Sequence, residues 1–208
     1  FERAIAQYGY GGRYQGVFPV KCNQQRHVVE ELVASGKRWH FGLEAGSKAE
    51  LLIALSLIDD PEALLICNGY KDQRYIETAI LARRLGRQPV VVIEQPDEVE
   101  RIIRASRELG AAPFIGIRAK LSSRSTGRWG SSVGEKAKFG LAIPDVLTTV
   151  EALRAAGVLD METVVVAMSE PIEASITAAF EAVMVCSSFP ISIKARATCI
   201  PRLISIGS

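Results

Sequence analysis

Three charged side chains in the first 120 residues have the types and positions that chemistry on a small molecule needs: Lys21, Glu44 and Arg118. Each follows or ends a short run rich in β-branched or aromatic residues. A lysine amine can form a Schiff base with a carbonyl compound if burial or a cationic neighbour lowers its pKa. An arginine can neutralise a phosphate or a phenolate. Plainer interpretations remain open, namely a solvated lysine at a strand end and a surface ion pair of the arginine.

Polar turns follow the second and third of these runs. After Glu44, the residues Gly46 and Ser47 open the next predicted helix, so that the free N–H groups of its first turn face the same cavity as Glu44. A capping role explains Ser47, but it explains Glu44 less well. Asn68 and Gly69 form a turn signal that needs no further explanation.

The least regular stretch of the chain is 121–140, which is rich in Ser, Gly and Arg. Loops of this length inside a compact domain are usually functional or mobile. This composition suits a lid over an anionic ligand. A charged linker has the same composition, so both interpretations stay open.

Candidate strands alternate with segments of helical periodicity up to about residue 158. The strands are predicted at 16–20, 39–43, 64–67, 90–93 and 113–117, and the helices at 27–35, 47–58, 72–85, 96–109 and 144–156. Such regular units imply parallel strands with right-handed crossovers. Function gathers at the carboxyl ends of parallel strands, so we expect Lys21, Glu44 and Arg118 at one edge of the sheet.

Residues with specific backbone preferences mark the predicted helix ends. Ser47 and Asp72 can accept hydrogen bonds from a first turn, and three glycines can take the left-handed conformation after a last turn. These glycines are Gly86, Gly110 and Gly157. No Gly-x-Gly-x-x-Gly follows the first strand, which disfavours an open dinucleotide-binding sheet. The pattern therefore favours a barrel, or part of one.

The composition excludes several classes of protein. With 208 residues, 48% hydrophobic and 23% charged, the chain is typical of a soluble globular protein. A net charge of +2 gives no support for nucleic-acid or membrane-surface binding, and the apolar runs are too short to span a membrane. Four cysteines without Cys-x-x-Cys spacing and two histidines predict neither a metal site nor a disulfide framework, so a reducing, cytoplasmic location is expected.

The composition changes near residue 160. Only seven of the 48 charged residues and one of the 17 glycines lie in 161–208. The change separates a partial barrel domain over 1–158 from an atypical tail over 159–208. The tail is either a buried or interface-forming end with few charges or a segment translated out of frame or fused from elsewhere. A strand at 163–167 remains compatible with local propensity.

Four blocks of sequence together resemble the biosynthetic arginine decarboxylases, which belong to the barrel-type, pyridoxal-phosphate-dependent decarboxylases together with ornithine and diaminopimelate decarboxylases. The blocks lie at 14–25, 41–51, 67–72 and 130–141, in that order. The resemblance covers about 1–158. It implies an α/β fold, a partial (β/α)8 TIM barrel of the alanine-racemase-like, pyridoxal-phosphate-binding type, truncated at both ends.

The resemblance also implies roles for individual residues. Lys21 corresponds to the catalytic lysine that binds pyridoxal phosphate covalently, Glu44 to an acidic position near cofactor and substrate, and Arg118 to the arginine at the cofactor ring's oxygen side. The implied reaction is decarboxylation of L-arginine to agmatine and carbon dioxide in polyamine (spermidine) synthesis. Magnesium and homo-oligomers are further expectations for full-length members.

One expected feature of this family is missing from the sequence. A His-x-Gly-Ser segment should follow the helix that ends at Gly157, but no histidine occurs there. We therefore expect weak or no turnover from these 208 residues. The alternatives are a sister decarboxylase for ornithine or diaminopimelate, and a non-catalytic pyridoxal-phosphate-binding remnant.

Overall fold

Parallel strands and helices alternate along the chain in the computed structural model, which describes residues 1–9, 14–119, 140–159 and 164–168. The strands described are β1 (Val17–Pro19), β2 (Gly42–Ala45), β3 (Leu64–Cys67), β4 (Gln88–Ile93), β5 (Phe114–Ala119) and β6 (Val164–Met168). The helices described are α1 (Glu2–Tyr8), α2 (Arg26–Gly36), α3 (Lys48–Leu57), α4 (Gln73–Arg84), α5 (Asp97–Leu109) and α6 (Ile143–Ala155). Short 3-10 turns occupy Val20–Cys22 and Lys37–Trp39.

The order of strands in the sheet follows the order in the chain, from β1 to β6. Every neighbouring pair is parallel. An open doubly wound sheet reverses its strand order at a switch point, whereas a (β/α) barrel adds each strand beside the previous one. The order without reversal therefore confirms the predicted partial barrel.

The helix ends form for the predicted reasons. Ser47 Oγ accepts a hydrogen bond from the N–H of Glu50 at 3.3 Å, and Asp72 Oδ1 accepts one from Tyr75 at 2.7 Å. The three predicted glycines at helix ends all have positive φ, namely Gly86, Gly110 and Gly157. Both types of helix boundary are thus confirmed.

The two faces of the sheet bury different sets of side chains. One face packs against the helices and includes Leu43, Leu65 and Val91. The other carries a smaller apolar cluster, in which Ile66 and Val90 are members. Side chains alternate between faces along a strand, and the register aligns Glu44 with Ile66 and Ile66 with Val90. Glu44 therefore shares the face opposite the helices.

The second strand is displaced from its predicted position at 39–43. Residues Lys37–Trp39 form a 3-10 turn, and His40 has a φ of 53°, in the left-handed region. An extended strand cannot pass through that conformation. The strand therefore starts at Gly42, and Glu44 lies inside it rather than after it.

Parts of the sequence-based interpretation fall outside the described residues. In the loop at 121–140, only Gly140 is described, and in the predicted tail at 159–208 only Leu159 and the backbone of β6 are. The predicted strand at 163–167 agrees with β6, which pairs with β5. None of the helices in the described part of the chain has the length and apolar character that crossing a bilayer requires.

Candidate active site

Lys21 lies directly after β1, in the turn Val20–Cys22. This turn is a 3-10 turn, so Val20, predicted as the last residue of the first strand, lies outside that strand. Pro19 is the register partner of Glu44, which places Lys21 two residues beyond that level towards the carboxyl edge. Its amine Nζ lies 3.5 Å from Glu44 Oε1. The sequence-predicted pair is therefore brought together by the pairing of β1 with β2.

The two members of this pair differ sharply in exposure. The Lys21 side chain is 52% exposed, whereas that of Glu44 is 2% exposed. A small molecule in solvent can therefore reach the amine while the carboxylate behind it stays fixed in the sheet. The arrangement therefore offers a carbonyl compound access to the amine and a carboxylate that can take up its proton, but not the burial that the sequence analysis named as a means of lowering the lysine pKa.

Arg118 lies within β5, and its partner is a residue that the sequence analysis missed. Arg118 Nη1 donates to Glu94 Oε1 at 2.9 Å. Ile93 pairs with Ile117, so Glu94 stands opposite Arg118 in the parallel register. Glu94 is 2% exposed and Arg118 is 31% exposed, so part of the guanidinium still faces solvent. A polar residue directly after the apolar strand at 90–93 was the available sequence signal for Glu94.

The two ion pairs lie at the same edge of the sheet but on different strands. Glu44 lies in β2 and Lys21 directly after β1, whereas Arg118 lies in β5 and Glu94 directly after β4. Three strand spacings separate β2 from β5, which corresponds to about 14 Å along the sheet.

The turn after β3 connects to the end of β2. The N–H of Asn68 donates to the carbonyl of Ala45 at 2.9 Å, and the Tyr75 hydroxyl donates to the same carbonyl at 2.8 Å. Gly69 has a φ of 77° and packs against the carbonyl of Gly46. The predicted Asn-Gly turn is thus confirmed, and it stabilises the strand that carries Glu44.

Two buried groups beside this turn resist ionisation. Burial raises the pKa of the Cys67 thiol to about 12. Burial also raises the pKa of the Tyr75 hydroxyl, so that it remains a hydrogen-bond donor at neutral pH. Neither group is therefore ionised at neutral pH.

A second charged pair near this edge was also missed. Lys71 Nζ lies 3.1 Å from Glu98 Oε1, and both side chains are completely buried. A lysine in a polar turn is ordinarily exposed, so no sequence signal indicated its burial. Within the described ranges, no group of three or more His, Cys, Asp or Glu residues could bind a metal ion.

The chain matches the family described as "Pyridoxal-dependent decarboxylase, pyridoxal binding domain" over residues 1–167. It is 87% identical over 159 residues to a biosynthetic arginine decarboxylase from Synechococcus sp. (strain RCC307), covering 76% of this chain and 25% of that protein. It is also 63% identical over 160 residues to a biosynthetic arginine decarboxylase from Thermosynechococcus vestitus, covering 77% of this chain and 25% of that protein. The chain thus spans about a quarter of the length of these curated relatives.

Solved structures share this fold. The biosynthetic arginine decarboxylase SpeA from Campylobacter jejuni is 32% identical, with a TM-score of 0.69 over 80% of this chain and 26% of that one. A diaminopimelate decarboxylase from Helicobacter pylori, complexed with L-lysine, is 22% identical and has a TM-score of 0.57. The match covers 81% of this chain and 41% of that one, and it shows a shared fold. The chain therefore belongs to the pyridoxal-dependent decarboxylases and carries their pyridoxal binding domain in residues 1–167.

Proposed function

We propose that this chain is the pyridoxal-phosphate-binding part of an arginine decarboxylase, which converts L-arginine to agmatine and carbon dioxide for polyamine (spermidine) synthesis in the cytoplasm. The observation that carries the proposal is the accessible Lys21 amine, 3.5 Å from the buried Glu44 carboxylate at the carboxyl edge of the sheet. High identity to curated arginine decarboxylases supports the choice of arginine. Full-length relatives are proposed to be homo-oligomers.

The residues present fit pyridoxal phosphate by the chemistry of their side chains. Lys21 offers an amine to the aldehyde, and its half-exposed position lets the cofactor reach it. Arg118 offers a cation with N–H donors to the ring oxygen, while Glu94 occupies one side of the guanidinium. Bound pyridoxal phosphate would supply an electron sink for the electron pair that carbon dioxide leaves behind.

The chain's own residues would prepare this site in two ways. Glu44 anchors the Lys21 amine and can take the proton that the amine loses when it becomes nucleophilic. Glu94 accepts from Nη1 of Arg118 and so fixes the position of the guanidinium. Because both carboxylates are buried, neither ion pair needs to form anew when a ligand binds.

Magnesium does not fit the residues described. Within those residues, no group of three or more His, Cys, Asp or Glu could bind it, and no role proposed for Lys21, Glu44 or Arg118 requires it. We also propose that 161–208 are foreign to the family, apart from 161–167, which the family match still includes. Sequencing the encoding DNA tests that proposal, and one uninterrupted frame shared with full-length relatives carrying the same tail would contradict it.

A chimera tests the proposed activity in a complete enzyme. The matching segment of the Synechococcus protein, 87% identical over 159 residues, is replaced by that of this chain. We expect carbon dioxide and agmatine to be released from L-arginine, and none after Lys21→Ala. Lys48→Ala is the matched control, because Lys48 is an exposed lysine nearby, and we expect it to retain activity.

Two results of the chimera experiment would contradict the proposal. A folded chimera that releases carbon dioxide from ornithine or diaminopimelate but not from arginine would favour a sister decarboxylase. A folded chimera that binds the cofactor but turns over none of the three would favour a non-catalytic remnant. The 208-residue chain on its own is expected to show weak or no turnover, and substantial agmatine release from it would contradict that expectation.

A further inference from the structure

A buried ion pair lies next to the Arg118–Glu94 pair and has no part in the reaction proposed above. Lys71 lies in the turn between β3 and α4, and Glu98 lies in the first turn of α5. Lys71 Nζ lies 3.1 Å from Glu98 Oε1, and the backbone N–H of Lys71 donates to the same oxygen at 3.2 Å. Nζ also donates to the carbonyl of Gly69. One carboxylate oxygen thus fixes both the backbone and the side chain of Lys71.

The other oxygen of Glu98 points towards the end of β4. Glu98 Oε2 accepts a hydrogen bond from the backbone N–H of Glu94 at 2.9 Å. The side chain of Glu94 in turn accepts from Arg118 Nη1 at 2.9 Å, and its carbonyl accepts from Gly140 at 3.0 Å. The Glu98 carboxylate therefore sets the backbone position of the residue that binds Arg118.

The Glu98 carboxylate makes hydrogen bonds that an apolar side chain could not make. Apolar side chains of similar volume often stabilise a core as well as a buried ion pair does. Apolar side chains could not accept the N–H groups of Lys71 and Glu94. The retained charges therefore serve the geometry of two backbone segments at the carboxyl edge.

We propose that Glu98, with Lys71 as its counter-ion, is a positioning residue for Arg118. It fixes Glu94, and Glu94 directs the guanidinium at the anionic oxygen of the bound cofactor. This inference rests on the proposed function, in which that cofactor is pyridoxal phosphate. Neither Glu98 nor Lys71 contacts the cofactor in this proposal, since both are fully buried.

The test measures the affinity of the 208-residue chain for pyridoxal phosphate by titration. In Glu98→Gln the side chain keeps its size, but one carboxylate oxygen becomes an NH₂ donor. The amide therefore cannot accept hydrogen bonds from both Lys71 and Glu94. We expect the Kd to rise about tenfold, the loss expected when one charge-assisted hydrogen bond is misdirected. In an Arg118→Ala background, Glu98→Gln should cause no further rise, because the guanidinium it positions is gone.

Two further variants separate positioning from general destabilisation. Asp60→Asn removes another buried carboxylate, which lies 2.9 Å from His40 at the opposite edge of the sheet. We expect it to lower the urea midpoint without changing the Kd. If Glu98→Gln does not fold, Glu98→Asp keeps the charge but is too short to reach both partners, and the same rise in Kd is expected.

Four outcomes would contradict the inference. A Kd unchanged by both Glu98 substitutions, or an equal rise with and without Arg118, would overturn the positioning role alone. A rise in Asp60→Asn as large as in Glu98→Gln would show that lost stability is the cause. A wild-type chain that binds no pyridoxal phosphate would overturn the proposed function and the inference together.

Discussion

Replacing Gly69 by alanine tests how closely the turns at the carboxyl edge pack. Gly69 has a φ of 77°, and a Cβ added there would lie 2.4 Å from the carbonyl oxygen of Gly46. Gly86 is a matched control because its φ is 75° and nothing lies within 4 Å of an added Cβ. The two substitutions share the cost of the left-handed backbone and differ in the contact.

The expected magnitudes follow from this difference. An alanine in the left-handed region costs about 1–2 kcal/mol of unfolding free energy, and we expect that loss for Gly86→Ala. At Gly69 the contact must also open from 2.4 Å to at least 3.0 Å, and overpacking of this kind adds about 1–3 kcal/mol. We therefore expect Gly69→Ala to lose about 2–5 kcal/mol.

Urea unfolding monitored by circular dichroism measures both losses. Gly69→Ala should also weaken binding of pyridoxal phosphate, because the carbonyl of Gly69 accepts from Lys71 Nζ, whereas Gly86→Ala should not. Equal losses of stability in the two variants would refute the close approach of the turns after β2 and β3.

Two further predictions concern buried groups. Lys71→Met should destabilise the chain by about 3–5 kcal/mol in urea titrations, because it leaves the Glu98 carboxylate buried without its counter-ion. Adding Glu98→Gln should recover much of that loss. A larger loss in the double variant would contradict the pairing. Burial raises the pKa of the Cys67 thiol from 9.0 to about 12. Between these pH values the folded state keeps the proton and the unfolded state releases it, so the free energy of unfolding should fall as pH rises from 9 to 12. The slope of the unfolding free energy against pH should be shallower by up to about 1.4 kcal/mol per pH unit in Cys67→Ala than in the wild-type chain. Identical slopes would contradict the burial of this thiol.

Local sequence features were sufficient to predict most of the fold. The strand at 64–67 and the helix starts at Ser47 and Asp72 depend on short-range chemistry, namely β-branched runs and side chains that cap their own first turn. The second strand was misplaced because the aromatic run at 39–41 suggested a strand. The left-handed conformation of His40 is stabilised by partners distant in sequence, such as Asp60 at 2.9 Å.

The candidate site was only half predictable for a related reason. Lys21, Glu44 and Arg118 could be singled out because each lies in or directly after a strand that the sequence predicts, and the parallel register brings Lys21 to Glu44. Glu94 and Glu98 act through hydrogen bonds between elements, 24 residues for Glu94 to Arg118 and 27 for Glu98 to Lys71. Spacing along one chain does not reveal such contacts, so only the structure could place these two carboxylates.

The most direct measurement locates the lysine that binds pyridoxal phosphate. The chain is incubated with pyridoxal phosphate and reduced with borohydride, and mass spectrometry then identifies the modified peptide. We expect the modification at Lys21, its loss in Lys21→Ala and its retention in Lys48→Ala. Modification spread over exposed lysines such as Lys48, and unchanged by Lys21→Ala, would contradict the proposed role of Lys21.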